Sequence, residues 1–458
     1  MFHDTASVLF GVEGLQVIDA QAGPDGTLEV WAVTDHPAAR VCPGCGTAAG
    51  RVHETVLARP RDVRRGAGEV TACWVKRRWK CDEQDCPRKT FTEWVPQVPP
   101  RCRLTRRLRE QAGTEVADRG ITPAEAARHA GVSWPVAHEA FAAVADPVLE
   151  QPPAPVTCLG IDEHRRGRPR WRRDEATGEY VVLADRWHTC FFDLSGGQGL
   201  LGQVEGRTAD DAAYWLAQAA PAWRDRIHAV AIDMCTIYAS AVRRMLPQAQ
   251  IAVDLFHVVH LAVKMTGDVR RRVVRGKYGR RGRSGDSEYG IKNLLVRNLE
   301  HLSPAQFAKV VSALDGDAAG QEILAAWIGK EKLRHMLNLR ARITRSTPCE
   351  RGVRGRLAAF YDWCAQNDDI PELLSLARTV SRWEDEIVCA VLTGTSNAAS
   401  ESLNRLAKLE ARLAYGFRNP ANQRRRVRIA CTRGTRRPSR TATRRRTQTV
   451  TGRKPHPG

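Results

Sequence analysis

Between residues 156 and 254 the chain alternates short apolar runs with amphipathic stretches in an order that few folds accept. The runs at 156–162, 180–185, 199–204, 227–233 and 250–254 are five to seven residues long. They are too short for helices and rich in Val, Ile and Leu, which marks them as strands. A helical pattern at 209–226 separates the third run from the fourth, and another at 236–246 separates the fourth from the fifth. Parallel neighbours need such crossovers, so the segment predicts a mixed sheet with helices against its faces.

Three strands, then helix, strand, helix, strand is the order of an RNase H-like α/β core, and Asp162 and Asp233 are among the four aspartates on which these runs end. Open α/β sheets place their sites at the carboxyl ends of strands, so two such acids make half a divalent-metal site. Position alone does not choose among candidates, because Asp185, Asp193 and Asp254 also lie near strand ends. A third acid must come from elsewhere. On the helical pattern beginning near Asn397, the residues Glu401, Asn404, Arg405, Lys408 and Arg412 fall on one face and Leu403, Leu406, Ala407 and Leu413 on the other. An apolar back would press this helix on the sheet edge and leave one carboxylate in a stripe of phosphate-holding groups. Mg²⁺ (or Mn²⁺) takes a few carboxylate oxygens plus water and substrate phosphate. Two such ions, roughly 3.5–4 Å apart, suit in-line displacement at phosphorus. That chemistry gives phosphodiester hydrolysis and then strand transfer with the freed 3′-hydroxyl.

Upstream, Cys42-Pro-Gly-Cys45 is a tight knuckle and Cys81-Asp-Glu-Gln-Asp-Cys86 a second, looser pair. Two thiolate pairs complete a tetrahedron around one Zn²⁺ and can hold a domain with little core. Cys73 and His53 lack knuckle spacing and read as core or loop. Next, Thr122-Pro123-Ala-Glu125 spells a capping box, Gly131 breaks that helix and Ser133 caps another. Two short helices on a Gly turn predict a helix-turn-helix, whose second helix, capped by Ser133 and with Trp134, His138 and Glu139 as exposed candidates, would enter the major groove of double-stranded DNA, Ser133, Trp134 and His138 being the expected DNA contacts.

The net charge is +20, and its placement says more than its size. Residues 424–458 hold twelve Arg, one Lys and no acid, and 270–283 hold eight Lys or Arg without an acid. Such runs read as solvated phosphate binders that do not read sequence. The expectation is a disordered tail in which Arg424, Arg425 and Arg426 grip DNA, and a basic loop at 270–283. The first residues lack a basic stretch ahead of an apolar core, and no run approaches the roughly 18 apolar residues of a span. A cytoplasmic, nucleoid-associated protein without a membrane partner is expected.

At these residues the chain resembles a transposase of the ISL3 insertion-sequence family, of the DDE class. The resemblance runs nearly end to end: CPGCG and CDEQDC, the helix-turn-helix, GIDEH, AIDM, VDLFHVVHLA, SRWEDE, TSNAASESLN and AYGFRNPANQRRR. It implies Asp162, Asp233 and Glu401 as the metal-holding triad, at intervals of 71 and 168 residues, the second lengthened by a helical insertion. It also implies supporting roles for Asp254 and His257 and matches Trp383 to an aromatic ahead of the Glu helix. Ser402 stands where many members have Gly. The implied function is binding of the element's terminal inverted repeats, cleavage, and joining to target DNA by a homo-oligomer. A catalytically silent DNA-binding derivative is disfavoured by the presence of all three carboxylates, and a structure-selective nuclease by the sequence-reading N-terminal domains. The expected division is a zinc domain at 1–95, a helix-turn-helix at 100–150, the core at 156–260 and 380–423, an α-helical insertion at 261–379 and the tail at 424–458.

Overall fold

The computed structural model describes residues 5–341 and 345–436. Its packing divides the chain into two compact units, Met1–Pro152 with Leu413–Arg433, and a second built on Pro153–Arg412.

In the first unit a short helix α1 (Thr5–Phe10) precedes β1 (Leu15–Ala22), β2 (Leu28–Thr34), β3 (Arg51–Ala58), β4 (Arg61–Arg65), β5 (Gly68–Lys80) and β6 (Thr90–Thr92). The 13-residue β5 is the hub of this sheet, parallel to β2 and antiparallel to β3, β4 and β6. Its alternate residues Val70, Ala72 and Trp74 are buried, as a period of two requires. Trp74 packs with Val12, Leu15, Ala32, Val95 and Val98. Three helices follow: α2 (Arg106–Thr114), α3 (Pro123–Ala130) and α4 (Trp134–Leu149). Thr122 and Glu125 close the capping box, and Gly131 ends α3 at φ 63°, a conformation that favours glycine. Ser133 stands at the N-cap of α4, but its side chain makes no capping bond.

The second unit holds β7 (Cys158–Arg165), β8 (Arg170–Arg173), β9 (Tyr180–Ala184), β10 (Trp187–Asp193), β11 (Leu200–Glu205), β12 (Ala229–Ile232) and β13 (Gln250–Val253). Five of these form one sheet in the order β11-β10-β7-β12-β13, antiparallel on the β10 side of β7 and parallel on the β12 side. The expected second strand needs correcting. Residues 180–184 pair only with β8 in an exposed hairpin, and the core strand is β10, whose Cys190, Phe191 and Phe192 are buried. The β9 limb is aliphatic yet exposed among the described residues, and its partner β8 is Arg-Trp-Arg-Arg.

Helices α5 (Ala209–Gln218), α6 (Pro221–Arg224), α7 (Thr236–Met245) and α8 (Leu255–Tyr278) flank the sheet strands in sequence. Downstream come α9 (Ser287–Gly290), α10 (Lys292–Val296), α11 (Pro304–Leu314), α12 (Ala318–Leu337), α13 (Glu350–Ala365), α14 (Pro371–Arg382), α15 (Glu384–Thr393), α16 (Ala398–Leu413) and α17 (Pro420–Arg436). Sheet residues such as Ile161 and Val230 share one apolar cluster with Ile323, Phe360 and Leu373 of the helical segment. Trp383, at the α14–α15 junction, is buried in it. The chain resumes there as helix rather than strand, and α15 packs on β13.

Two basic runs differ from expectation. The stretch 270–283 is largely the end of α8, and four of its eight cations are ion-paired: Arg271 to Asp268, Arg272 to Glu322 and Glu372, Lys277 to Glu288 and Asp317, and Arg280 to Asp286. Residues 424–436 are helix rather than tail. Val427, Ile429, Ala430 and Cys431 of α17 are buried, and Ile429 joins Val116, Ala126, Ala137 and Phe141 in the core of the helix-turn-helix. The remaining residues of the tail, 437–458, lie outside the described residues. Among the described residues no helix is long and apolar enough to cross a membrane.

Candidate active site and nucleic-acid interface

Sheet register builds the acidic end of the second unit. Parallel pairing of β12 with β7 runs from Ala229↔Cys158 to Ala231↔Gly160, an offset of 71 residues, and two steps further that offset sets Asp233 beside Asp162. Pairing of β12 with β13 ends at Ile232↔Val253, so the next step sets Asp254 beside Asp233. Three aspartates thus stand in a row across neighbouring strands. Asp162 is not at the end of its strand, as the sequence suggested: β7 continues to Arg165 because β10 still pairs with it after β12 has stopped.

Each aspartate is held. Asp162 accepts hydrogen bonds from Asn404 Nδ2 at 2.5 Å and from the Glu163 amide at 2.7 Å. Asp233 accepts one from Asn397 Nδ2 at 3.2 Å and faces His257 Nδ1 at 3.5 Å. Asp254 is buried and caps α8 by accepting from the Phe256 amide at 3.0 Å. Burial, reinforced by the neighbouring Asp233 carboxylate, pushes Asp162 up to about 6, and burial also raises Asp233. Behind Asp162, burial lowers His164 to about 4, so this ring is neutral; its Nδ1 lies 3.3 Å from Asn404 Oδ1.

Helix α16 carries Glu401, but its inward face is polar where an apolar one was expected. Ser400, Asn404, Ala407 and Glu410 are buried, whereas Leu413 is exposed. Asn404 therefore does not belong to the DNA-facing stripe; its two hydrogen bonds take it inward, to Asp162 and His164. Gly160 makes that seat possible, since a Cβ there would lie 2.3 Å from Ser400 Oγ. Arg405, Lys408 and Arg412 are exposed with Glu401, which is 54% exposed and ion-paired to Arg405 at 2.7 Å. Among the described residues Asp162, Asp233 and Glu401 do not form a set with ligand atoms within 4.8 Å of one another. Burial and like charge at Asp162 and Asp233 suit a divalent cation, which would relieve their repulsion; among the described residues neither Asp254 nor Glu401 completes a converging three-acid set with them.

In the first unit the four sulfurs of Cys42, Cys45, Cys81 and Cys86 all lie within 4.8 Å of one another, with Cys42–Cys86 at 3.8 Å and Cys45–Cys81 at 3.5 Å. A tetrahedron with Zn–S bonds of about 2.3 Å has edges of about 3.8 Å, so the set fits zinc. A backbone N–H from Thr47 pulls the Cys45 thiol down to about 6. Cys73 lies buried in β5 and His53 lies in β3, neither in the cluster.

On α4, Ser133 and Trp134 are exposed, and Trp134 stacks on His138 with ring centroids 4.8 Å apart. Both rings line a cavity of about 730 Å³ with Phe141, Arg418 and Asn422. Of Arg424, Arg425 and Arg426, the three arginines of the C-terminal run assigned to DNA, two face inward. Arg425 Nε donates to Asp146 at 2.5 Å, and Arg426 Nη1 to the Ile121 carbonyl at 3.0 Å; Arg424 is half-buried. Reading by composition missed this, and it also missed Gly160, Ser400 and the exposed hairpin; the only signal for the last was a run of arginines around Trp171.

Residues 159–427 match a family model (DDE_Tnp_ISL3) described as a transposase, and residues 93–145 match the helix-turn-helix domain of transposase family ISL3. The transposase of insertion sequence IS1001 from Bordetella parapertussis is 25% identical over 420 residues, 89% of this chain and 92% of that one. The transposase of IS1557 from Mycobacterium tuberculosis is 29% identical over 212 residues, 42% of this chain and 45% of that one. A solved Drosophila P element transposase strand transfer complex aligns over 72% of this chain and 92% of that one, at 10% identity and a TM-score of 0.38, too remote to carry an argument.

Proposed function

Because this chain belongs to the ISL3 family of transposases, we propose that it binds the terminal inverted repeats of its insertion sequence and cuts and joins DNA through an RNase H-like core. The observation that carries the reading is the row Asp162, Asp233, Asp254, set by parallel register and held with two of its carboxyls raised. The sheet order β11-β10-β7-β12-β13 supports the RNase H-like assignment.

Asp162, Asp233 and Glu401 would hold the divalent ions. When bound, Mg²⁺ or Mn²⁺ there supplies activation of the attacking oxygen and charge relief at the leaving one. Asn404 fixes the Asp162 carboxylate by its 2.5 Å hydrogen bond, and Asn397 and His257 fix Asp233. Asp254 supports α8, which carries His257. Glu401 sits one turn from Asn404 and must part from Arg405 to reach the aspartates, while Arg405, Lys408 and Arg412 meet DNA phosphates. The four cysteines would hold zinc, and Ser133, Trp134 and His138 would meet bases. Two ends must be joined, so more than one copy acts at once.

One observation favours a second reading, a transposase-derived protein that binds the same ends without cutting: Glu401 is exposed and paired to Arg405. Cleavage of an element-end duplex in Mg²⁺ or Mn²⁺ decides. Wild type should cut, while Asp162→Ala, Asp233→Ala and Glu401→Ala should each abolish cutting and retain end binding, because the acids serve chemistry rather than docking. Wild-type binding without cutting selects the silent reading, and residual cutting by one variant removes that residue from the triad.

A further inference from the structure

The hairpin β8–β9 is spliced into the catalytic sheet between Arg165 and Trp187, which pair across β7 and β10. Its base is anchored. Arg165 Nε lies 2.9 Å from Asp185 Oδ1, the Arg166 amide donates to the Arg186 carbonyl at 2.7 Å, and the Trp187 ring carries Arg165 at 4.6 Å and Arg207 at 4.4 Å from its centroid. Beyond the base the arm is open. All four residues of β8 are exposed, as are Tyr180, Val181, Val182 and Leu183 of β9. Register places Trp171 beside Val182 and Arg173 beside Tyr180, and Arg172 beside Val181 on the alternate face. A two-stranded hairpin with Trp171 at 55% and Tyr180 at 70% exposure has little of its own to keep it folded in water, so a partner is expected on it.

Charge selects that partner. Arg168, Arg170, Arg172 and Arg173 line the outgoing limb, while the acids Asp174, Glu175 and Glu179 sit at the turn, where Asp174 is engaged by the Ala176 and Thr177 amides. Position agrees. Arg165 is three residues beyond Asp162 on one strand, about 10 Å away, and Arg170 is at most about 28 Å away. Both distances are less than one duplex turn of roughly 34 Å, so the arm is within reach of DNA held at Asp162. A two-stranded ribbon enters a major groove, and arginine with aromatic rings suits phosphates and base faces.

We infer that the β8–β9 hairpin is a second DNA-contacting arm, separate from the helix-turn-helix, that grips the duplex within one turn of the cleaved phosphate. It rests on the transposase reading. The test is hydroxyl-radical footprinting and a salt series on an element-end duplex, comparing wild type with the triple variant Arg168→Ala, Arg170→Ala, Arg172→Ala, the matching triple Lys variant, and Trp171→Ala with Tyr180→Ala. The triple Ala variant should lose protection within about ten base pairs of the cut while keeping the distal protection, and its log–log salt slope should flatten by up to about 2.7, three contacts at roughly 0.9 each. The triple Lys variant should restore most of that slope, and the aromatic variant should weaken binding with the slope unchanged. Unchanged footprint and slope in the triple Ala variant overturn the inference, as does a loss of self-association in place of DNA contacts. Wild type that protects no end DNA would remove the transposase reading itself, a result distinguishable from a variant that matches a protecting wild type.

Discussion

Asp162 combines three influences that its side chain alone does not reveal: burial, the Asp233 charge beside it, and the Asn404 amide at 2.5 Å. Its ordinary value of 3.8 rises to about 6, so the folded chain holds this proton more tightly than the unfolded chain does. The site therefore adds no penalty below about pH 4, and it destabilises the fold progressively as pH rises through about 6. We predict that Asp162→Asn, in buffer free of added divalent ions, raises stability at pH 7–8 by about 1–3 kcal/mol and changes little below pH 4, since two units correspond to roughly 2.7 kcal/mol. Urea melts at the two pH values measure this. A gain confined to low pH would mean the carboxylate is stabilised as an anion and that the aspartates are not crowded. The same environment explains why a reading by position could not separate Asp162 from Asp185 or Asp193: of these, Asp185 is paired to Arg165 and Asp193 is held by the Ser195 and Gln198 amides.

At the scale of elements, α16 and α17 reverse what their composition suggests. Helix α16 keeps Glu401, Arg405, Lys408 and Arg412 on its exposed face, and Lys408 and Arg412 stand about 10 and 16 Å along the axis from Glu401. That spacing suits successive phosphates. The double variant Lys408→Ala, Arg412→Ala should weaken end-DNA binding several-fold at low salt, with a smaller effect on single-turnover cleavage at saturating DNA; equal affinity across a salt series would leave this stripe to solvent. Helix α17 holds six arginines, Arg424, Arg425, Arg426, Arg428, Arg433 and Arg436, which by composition belong to a solvated tail. Its Ile429 instead completes the helix-turn-helix core, and Val427 beside it is buried as well. Truncation before Pro420 should cost roughly 3–6 kcal/mol, taking 1.5–3 for each fully buried aliphatic, and should abolish sequence-selective end binding. Truncation after Arg436 should only flatten the salt dependence. Equal thermal melts and selectivity for the two truncations would mean α17 is dispensable.

For the whole molecule, the chain leaves the first unit at Pro152 and returns to it at Leu413, so the unit that carries the helix-turn-helix is assembled from segments on either side of the second unit's 153–412. The four-cysteine cluster lies within the first unit. Cys42→Ser or Cys86→Ser should lower the content from one zinc per chain toward none and lose end selectivity, while residues 153–412 keep their fold; metal analysis with urea melts checks this, and an unaltered metal content would end the zinc assignment. Several features are local and were legible in the sequence: knuckle spacing, the Thr122–Glu125 capping box, the strand–helix order, and the 71-residue interval that turns out to be the β7–β12 register itself. Other features could be decided only by tertiary structure. Tyr180–Ala184 looked like a core strand, but burial is conferred by partners distant in sequence, and only β10 has them. Asn404 looked outward on a helical wheel until Gly160, 244 residues earlier, let Ser400 press into β7 and turned Asn404 onto Asp162. A helix's own periodicity ranks its faces by composition, and the surface it meets decides which of them goes in.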